Sequence, residues 1–284
     1  MELKELGGTG VMVPEIGLGT WKYSGGNEPL RRGIELGAFL IDTAEMYLTE
    51  DAVGRAVKGI RDQVFIATKV LGSNLRQDQV LRSAEKSLRL LDTPYIDLYQ
   101  IHWPNSGVPI KETMQAMEEL VDAGMVKYIG VSNFSVRQLT EARSAMTKCP
   151  IVSNQVLYNL KRRDIEPELL PYCQQNNIMV LAYTPLADGS LAVDTETPHG
   201  SRTGLRRTAD RLLGREREQD ALRSVAADVD KTPAQVALNW CTVRPNVIAI
   251  PKSNSVARTE ENCGASGWRL ADEHLRLLDE AFPS

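Results

Sequence analysis

Short apolar segments and amphipathic segments alternate along most of the chain. Apolar runs rich in branched residues recur near positions 17, 40, 66, 98, 129, 153, 180 and 249, and this pattern predicts eight β-strands. Ahead of them, glycines between two short apolar stretches within Leu3–Val13 predict a small hairpin. Helical spacing of apolar residues predicts helices between the strands. The predicted helices are Glu28–Gly37, Glu50–Lys58, Gln77–Leu91, Ile110–Ala123, Ser135–Met146, Asp164–Asn176, Glu216–Asp228, Thr232–Val243, Val256–Asn262 and Asp272–Phe282.

Eight apolar strands separated by helices are typical of a parallel sheet that is covered on both faces. An open, doubly wound sheet and a closed (β/α)8 barrel both fit that alternation. The barrel is favoured by the count of eight and by polar residues at the carboxyl ends of many strands rather than at one switch point. These polar residues are Asp42, Lys69, His102, Asn133, Gln155, Tyr183 and Lys252. We therefore expect an α/β fold: one (β/α)8 TIM barrel domain over residues 1–284, with an N-terminal β-hairpin and a C-terminal extra helix.

Composition excludes several classes of function. The chain of 284 residues is 42% hydrophobic and 25% charged, and its net charge of -4 offers no basic field for nucleic acid or an anionic membrane. Its apolar runs are shorter than the ~18 residues that a membrane-spanning helix needs, and its first residues do not resemble a signal peptide. Four widely spaced cysteines without a CxxC pair fit reduced thiols. We expect a soluble, cytoplasmic, monomeric protein with no nucleic-acid or membrane partner.

Four polar residues form a set that suits proton transfer. Asp42, Lys69 and His102 each end a strand-like run, and Tyr47 follows Asp42 by five positions. Each has an ordinary explanation alone: a helix cap, a half-buried tyrosine, a solvated lysine or a core histidine. Together, a lysine ammonium stabilises a phenolate and lowers the pKa of the tyrosine, while a carboxylate keeps the lysine charged. The histidine adds a hydrogen bond to a carbonyl oxygen, so the set can polarise C=O and protonate its oxygen.

This set lacks a nucleophile, so the group that attacks the carbonyl carbon must come from elsewhere. No GxSxG elbow occurs, and no HxH, HExxH or carboxylate cluster offers a metal site. Hydride from a nicotinamide is the natural candidate. No GxGxxG follows a strand, but Lys252, Ser253 and Arg258 lie after the eighth strand at the start of a short helix, where a phosphate could bind. A surface helix with ordinary charges is the alternative explanation for that segment.

Four motifs resemble, in the same order, the hallmarks of the aldo-keto reductase family, and the resemblance covers nearly the whole chain. They are Leu40-Ile41-Asp42-Thr43-Ala44-Glu45-Met46-Tyr47, Gly130-Val131-Ser132-Asn133-Phe134, Ala182-Tyr183-Thr184-Pro185-Leu186, and Ile250-Pro251-Lys252-Ser253 with Arg258 and Glu261-Asn262. The resemblance implies a (β/α)8 barrel that reduces aldehydes or ketones to alcohols with NADPH and without a metal. It makes Tyr47 the proton donor, and Asp42, Lys69 and His102 complete the catalytic tetrad.

The resemblance also implies contacts with the nicotinamide end of the cofactor. Ser132, Asn133 and Gln155 would hydrogen-bond the carboxamide. Tyr183 would stack on the ring, which presents one face of the nicotinamide to the substrate and fixes the side from which hydride leaves.

At the other end of NADPH, the resemblance implies that Lys252, Ser253 and Arg258 bind the 2′-phosphate. Glu261 and Asn262 would contact the adenine. The remaining expected cofactor contacts are Gly19, Thr20, Trp21, Asp42, Thr184, Pro185, Leu186, Ile250 and Pro251.

Substrate contacts are expected from Trp21, Tyr23, Met46 and Trp103, which follow strand ends and would form an apolar, aromatic wall. Simple packing around the barrel mouth is the alternative explanation for these four residues. The short C-terminal tail favours an open site for a small carbonyl compound.

One stretch interrupts the alternation of strands and helices. Residues from Ala187 to Glu218 form a long, basic segment, and long loops in compact domains are often functional. We hypothesise that Arg202, Arg206 or Arg207 folds over the cofactor pyrophosphate as a lid. A solvated loop followed by an amphipathic helix is the alternative.

Two other functions compete with the reductase. The family also includes regulatory subunits that bind nicotinamide nucleotides with little turnover, and such a subunit would bind NADPH without reducing carbonyls. A phosphosugar isomerase on the same barrel would use Lys252 and Arg258 for a substrate phosphate and would not bind NADPH.

Overall fold

The computed structural model describes residues 1–192 and 215–283. The arginines of the hypothetical lid, Arg202, Arg206 and Arg207, lie outside the described residues. In chain order the strands are β1 Leu3–Glu5, β2 Met12–Pro14, β3 Leu18–Gly19, β4 Leu40–Asp42, β5 Phe65–Val70, β6 Ile96–Ile101, β7 Val126–Ser132, β8 Ile151–Leu157, β9 Met179–Tyr183 and β10 Val247–Ala249. The helices are α1 Glu28–Glu35, α2 Glu50–Val57, α3 Gln77–Leu91, α4 Ile110–Asp122, α5 Val136–Ala145, α6 Leu169–Gln175, α7 Arg215–Asp228, α8 Pro233–Thr242, α9 Val256–Cys263 and α10 Asp272–Ala281.

Strands β3 to β10 pair in sequence order, each parallel to the next. The first and last strands of this sheet also meet, through parallel bridges between Ile16 and Ala249 and between Gly19 and Lys252. The sheet therefore closes on itself, and the predicted (β/α)8 barrel is confirmed. The open, doubly wound alternative is wrong, because an open sheet leaves its edge strands unpaired.

Two apolar cores hold the barrel together. The inner core consists of side chains that point into the barrel, such as Leu98 and Leu181. Leu6 and Val13 of the β1–β2 hairpin pack on it, so the predicted hairpin is confirmed and covers one end of the barrel. The outer core lies between the strands and the surrounding helices. With its amino-terminal end covered, the barrel can bind a ligand at the opposite end, where the strands finish.

Most predicted helices are found within one or two residues of their expected bounds, but α6 is an exception. The predicted helix Asp164–Asn176 begins only at Leu169, and the preceding residues form turns. Pro167 has no N–H to donate and disfavours helical backbone at Glu166, which explains the late start. Other helices have common start and stop residues: Thr232 caps α8 with Pro233 in its first turn, and Gly124 follows α4 with φ +71°.

No helix within the described ranges is long and apolar enough to cross a membrane. All four cysteines lie in these ranges and none forms a disulfide, as expected from their spacing.

Candidate active site

The four residues of the predicted proton-transfer set lie together at the carboxyl ends of neighbouring strands. Asp42 is the last residue of β4, Lys69 lies near the end of β5, and His102 directly follows β6. Tyr47 lies in a single 3-10 turn, Glu45–Tyr47, just after β4. Because these strands are parallel and adjacent, their ends bring the four side chains into one cluster.

A buried ion pair forms the base of this cluster. The Lys69 side chain is fully buried, and its Nζ donates to Asp42 Oδ1 at 2.7 Å. The same Nζ donates to the Thr43 carbonyl at 2.7 Å and points at the Tyr47 hydroxyl at 3.5 Å. Three donors thus meet three acceptors, as a charged ammonium requires. Burial lowers the pKa of Lys69, and the Asp42 carboxylate opposes that shift.

Tyr47 is half-buried between the ion pair and two aromatic rings. Its ring meets Trp21 and His102 edge to face, with centroids 4.9 and 5.4 Å apart. Burial raises the pKa of Tyr47 above its usual value, and the Asp42 carboxylate adds to that rise. The net shift is therefore opposite to the lowering expected from the Lys69 ammonium, because desolvation of the phenolate is the largest contribution. The hydroxyl stays protonated at neutral pH.

His102 is 3% exposed and stacks on Trp103, with ring centroids 3.7 Å apart. Burial lowers the pKa of His102 to about 3, and the Lys69 charge lowers it further. The imidazole is therefore neutral at neutral pH and carries one N–H donor. Within the described ranges, its Nδ1 is buried without a hydrogen-bond partner.

Two amide side chains inside the barrel hold the second oxygen of Asp42. Gln155 Nε2 donates to Asp42 Oδ2 at 2.7 Å, and Gln100 Nε2 lies 3.4 Å from the same oxygen. Sequence reasoning missed Gln100. It lies two residues after the inward-facing Leu98 on β6 and therefore also faces the barrel interior, so a polar residue at an inward position was the available signal.

The expected carboxamide contacts form a connected amide cluster at the ends of β7, β8 and β9. Ser132 Oγ donates to the Gln155 carbonyl at 2.8 Å. Asn133 has φ +62°, a conformation that asparagine tolerates, and its Nδ2 donates to the His102 carbonyl at 3.1 Å. The Tyr183 hydroxyl donates to Asn133 Oδ1 at 3.0 Å. Through Gln155, this cluster is one hydrogen bond from Asp42.

The expected phosphate-binding residues lie at the start of α9, after β10. Lys252 and Arg258 are exposed, and Arg258 also pairs with Glu261 at 3.1 Å. Ser253 Oγ donates to the Ser255 carbonyl at 2.8 Å, so the turn before α9 is ordered. The two cations therefore face solvent at a helix N-terminus, which is a favourable place for an anion.

The other expected cofactor contacts lie along the rim between β3 and β10. Gly19 approaches the Ile250 backbone so closely that a Cβ would lie 2.7 Å from the carbonyl oxygen. Thr20 Oγ1 donates to the Asp42 carbonyl at 2.9 Å, and Pro251 is buried. After β9, residues 184–186 form a bend and a turn, with Thr184 at φ +52°. Asn262 is 5% exposed on α9.

Of the four expected substrate contacts, Trp21 and Trp103 are the exposed ones, at 47% and 38%. Both lie next to tetrad residues, so they form two sides of an apolar mouth. Met46 is half-buried beside Tyr47. Tyr23 is buried, and its hydroxyl donates to the Gly26 carbonyl at 2.8 Å within the segment that follows β3.

In residues 1–192 and 215–283, no group of His, Cys, Asp and Glu is arranged to hold a metal ion.

A family model, a related protein and two solved structures all indicate the same protein family. A model of the Aldo/keto reductase family matches residues 15–282. The methylglyoxal reductase YeaE of Escherichia coli (strain K12) is 36% identical over 285 residues, which cover 96% of this chain and 93% of that protein. The thermostable aldo-keto reductase Tm1743, solved with the inhibitor epalrestat, has a TM-score of 0.86 and 39% identity, with 99% and 100% of the two chains covered. An aldo/keto reductase from Klebsiella pneumoniae, solved with NADP and acetate, has a TM-score of 0.82 and 35% identity, with 99% and 95% covered.

Proposed function

The chain belongs to the aldo/keto reductase family, and we propose that it reduces the carbonyl group of small aldehydes, ketones or dicarbonyls to alcohols, with Tyr47 as proton donor. It is an NADP-dependent oxidoreductase, as its reductase relatives and an NADP-bound structural neighbour support. One observation carries the proposal. A protonated, half-buried tyrosine hydroxyl lies 3.5 Å from the ammonium of a buried Lys69–Asp42 pair, beside a neutral histidine.

The residues at hand fit NADP(H). The exposed cations Lys252 and Arg258 at the start of α9 suit a 2′-phosphate, because a planar guanidinium and an ammonium both pair with phosphate oxygens. Near the tetrad, Ser132, Asn133 and Gln155 offer polar groups for a carboxamide, and Tyr183 offers a ring face. Bound NADPH would supply the hydride that reduces the carbonyl carbon.

Tyr47 would give its proton to the carbonyl oxygen as negative charge develops there. Its raised pKa keeps the hydroxyl protonated, and the Lys69 ammonium would stabilise the phenolate once the proton has left. Asp42 holds Lys69 in place at 2.7 Å. Neutral His102 would donate one hydrogen bond to the same oxygen and so fix the direction of the C=O bond.

A small substrate suits the mouth of the barrel. Trp21 and Trp103 expose apolar ring faces on two sides of the tetrad, and such surfaces bind the carbon skeleton while the tetrad orients the oxygen. The Escherichia coli relative is a methylglyoxal reductase. We therefore propose that α-dicarbonyls belong to the substrate class of this chain as well.

The test is NADPH consumption by the wild-type protein with a panel of aldehydes, ketones and α-dicarbonyls, together with a direct measurement of NADPH binding. The proposal predicts turnover of at least one of these carbonyl classes. Tight NADPH binding without any turnover would contradict it and support a nucleotide-binding regulatory subunit. Failure to bind NADPH would contradict it as well and point to an enzyme that uses the Lys252–Arg258 cations for a substrate phosphate.

A further inference from the structure

The loop that carries Tyr47 is tied down at both of its ends. At its start, the Glu45 carboxylate accepts from the Leu71 backbone N–H at 3.1 Å, which fixes the loop to the chain just beyond Lys69. Tyr47 N–H donates to the Ala44 carbonyl at 2.9 Å and closes the 3-10 turn. Leu48 then adopts φ +57°, a left-handed conformation that is unfavourable for leucine. Other contacts must therefore hold the far end of this loop and offset the backbone strain at Leu48.

Thr49 lies at that far end, and its hydroxyl does not cap the helix that follows. Thr49 is the N-cap residue of α2, where a threonine side chain usually accepts from a backbone N–H of the first helical turn. The hydroxyl makes no such bond. Instead it lies 3.0 Å from Thr43 Oγ1 and 3.1 Å from Thr20 Oγ1, and all three threonines are buried. The hydroxyl therefore links the loop to the barrel rather than capping the helix.

The direction of these hydrogen bonds follows from the single proton on each hydroxyl. Thr20 Oγ1 donates to the Asp42 carbonyl at 2.9 Å, so Thr49 must donate to Thr20. Thr43 must then donate to Thr49. This series of hydrogen bonds runs from Thr43 through Thr49 and Thr20 to the backbone of Asp42, and each hydroxyl proton is used once.

This series of hydrogen bonds connects the Tyr47 loop to the groups that hold the Lys69 ammonium. The Thr43 carbonyl accepts from Lys69 Nζ, and the Asp42 side chain pairs with the same atom. Tyr47 lies only two residues before Thr49, and its hydroxyl is already 3.5 Å from Nζ. A small shift of the loop would break that contact, because 3.5 Å is already at the upper limit for a hydrogen bond.

We propose that Thr49 is a positioning residue for Tyr47: its hydroxyl, bonded to Thr43 and Thr20, holds the loop so that the tyrosine hydroxyl faces Lys69. This inference depends on the proposed role of Tyr47 as proton donor. It predicts that loss of the Thr49 hydroxyl lowers the rate of the chemical step while NADPH binding is retained.

The experiment compares Thr49→Val, which removes the hydroxyl but keeps the branched shape, with Thr49→Ser, which keeps the hydroxyl. Both are made in the wild-type and Tyr47→Phe backgrounds. Single-turnover NADPH oxidation, the Kd of NADPH and the thermal unfolding midpoint are measured for each. Thr49→Val is expected to lower the wild-type rate about tenfold, since small misplacements of catalytic groups have effects of this size or larger. Thr49→Ser should restore the rate, and the Kd of NADPH should be unchanged.

The Tyr47→Phe background separates positioning from general structure. If Thr49 acts through Tyr47, Thr49→Val causes no further loss there, because effects on one functional unit are not additive. An equal further loss in that background would overturn the inference, as would a Thr49→Ser enzyme that is as slow as Thr49→Val. Thr43→Val breaks the same link from its other end and should reproduce the Thr49→Val result. If both valine variants fail to fold, the hydroxyls are structural and the inference is wrong.

The same data distinguish this inference from the proposed function. A fully active Tyr47→Phe enzyme would refute the role of Tyr47 itself. An inactive Tyr47→Phe enzyme together with a fully active Thr49→Val enzyme would refute only the role of Thr49.

Discussion

Replacing Asp42 with asparagine removes the charge that faces Lys69 and keeps the size and shape of the side chain. The two partners lie 2.7 Å apart, with side-chain exposures of 3% and 0%. At that distance their direct attraction is about 6 kcal/mol for an effective dielectric constant of about 20. Breaking a buried pair by removing one partner destabilises a protein by about 3–5 kcal/mol, because the other charge is left uncompensated.

An independent limit gives a similar value. Lys69 in the Asp42→Asn variant can escape its unpaired charge by losing its proton. Deprotonating a lysine of ordinary pKa near pH 7 costs about 5 kcal/mol, which is the upper limit of the free-energy penalty for leaving that charge unpaired. We therefore expect Asp42→Asn to lower the free energy of unfolding by about 3–5 kcal/mol, and to slow carbonyl reduction because Lys69 loses its partner.

The assay is urea unfolding near neutral pH, followed by tryptophan fluorescence. Asp51→Asn is a matched control, since Asp51 pairs with Arg55 at 2.8 Å but both side chains are largely exposed, at 49% and 63%. Exposed pairs contribute about 0–1 kcal/mol, so the control should be close to wild type. If Asp42→Asn is no more destabilised than Asp51→Asn, Asp42 does not compensate a charge on Lys69, and the reasoning is refuted.

Two further predictions concern His102 and Arg258. Folded His102 takes up a proton only near pH 3, whereas the unfolded chain does so near ~6.5, so the unfolded state binds more protons between these values and stability falls on acidification by about 1.4 kcal/mol per pH unit. His102→Gln should remove that part of the slope in urea unfolding between about pH 4 and 6, and an unchanged slope would contradict the prediction. Arg258→Ala should raise the Kd of NADPH about tenfold or more and leave that of NADH unchanged, because the proposed charge-assisted bond between Arg258 and the 2′-phosphate would be lost. Arg55→Ala, at a similarly exposed arginine, is the control, and equal effects on both nucleotides would contradict the assignment.

The barrel could be predicted because its pattern is local. Most barrel strands are short apolar runs, and many of them have a polar residue at or near their carboxyl ends, where the strand meets a loop. Adjacent parallel strands then bring such residues together whatever their neighbours are, so Asp42, Lys69 and His102 could be grouped before the structure was known. Tyr47 could be added because it follows Asp42 closely.

Features that depend on the third dimension could not be predicted. Sequence position makes Thr49 a helix cap, but its hydroxyl faces two threonines from other segments. Gln100 can be recognised as a polar residue at an inward position of β6, but its contact with Asp42, two strands away on β4, depends on how the sheet curves. The direction of the pKa shift of Tyr47 depends on the balance between burial and the nearby charges, and that balance is set by packing.

Single-turnover NADPH oxidation by Tyr47→Phe, with an α-dicarbonyl as substrate, tests the central claim most directly. Tyr128→Phe is the control, because it removes the hydroxyl of a half-buried tyrosine that stacks on Phe65 at 6.4 Å. We predict that Tyr47→Phe binds NADPH as wild type does and loses about 10²-fold or more in rate, the range typical of a lost general acid. Tyr128→Phe should retain the wild-type rate. A Tyr47→Phe enzyme that reduces the dicarbonyl as fast as the control would contradict the assignment of Tyr47 as proton donor.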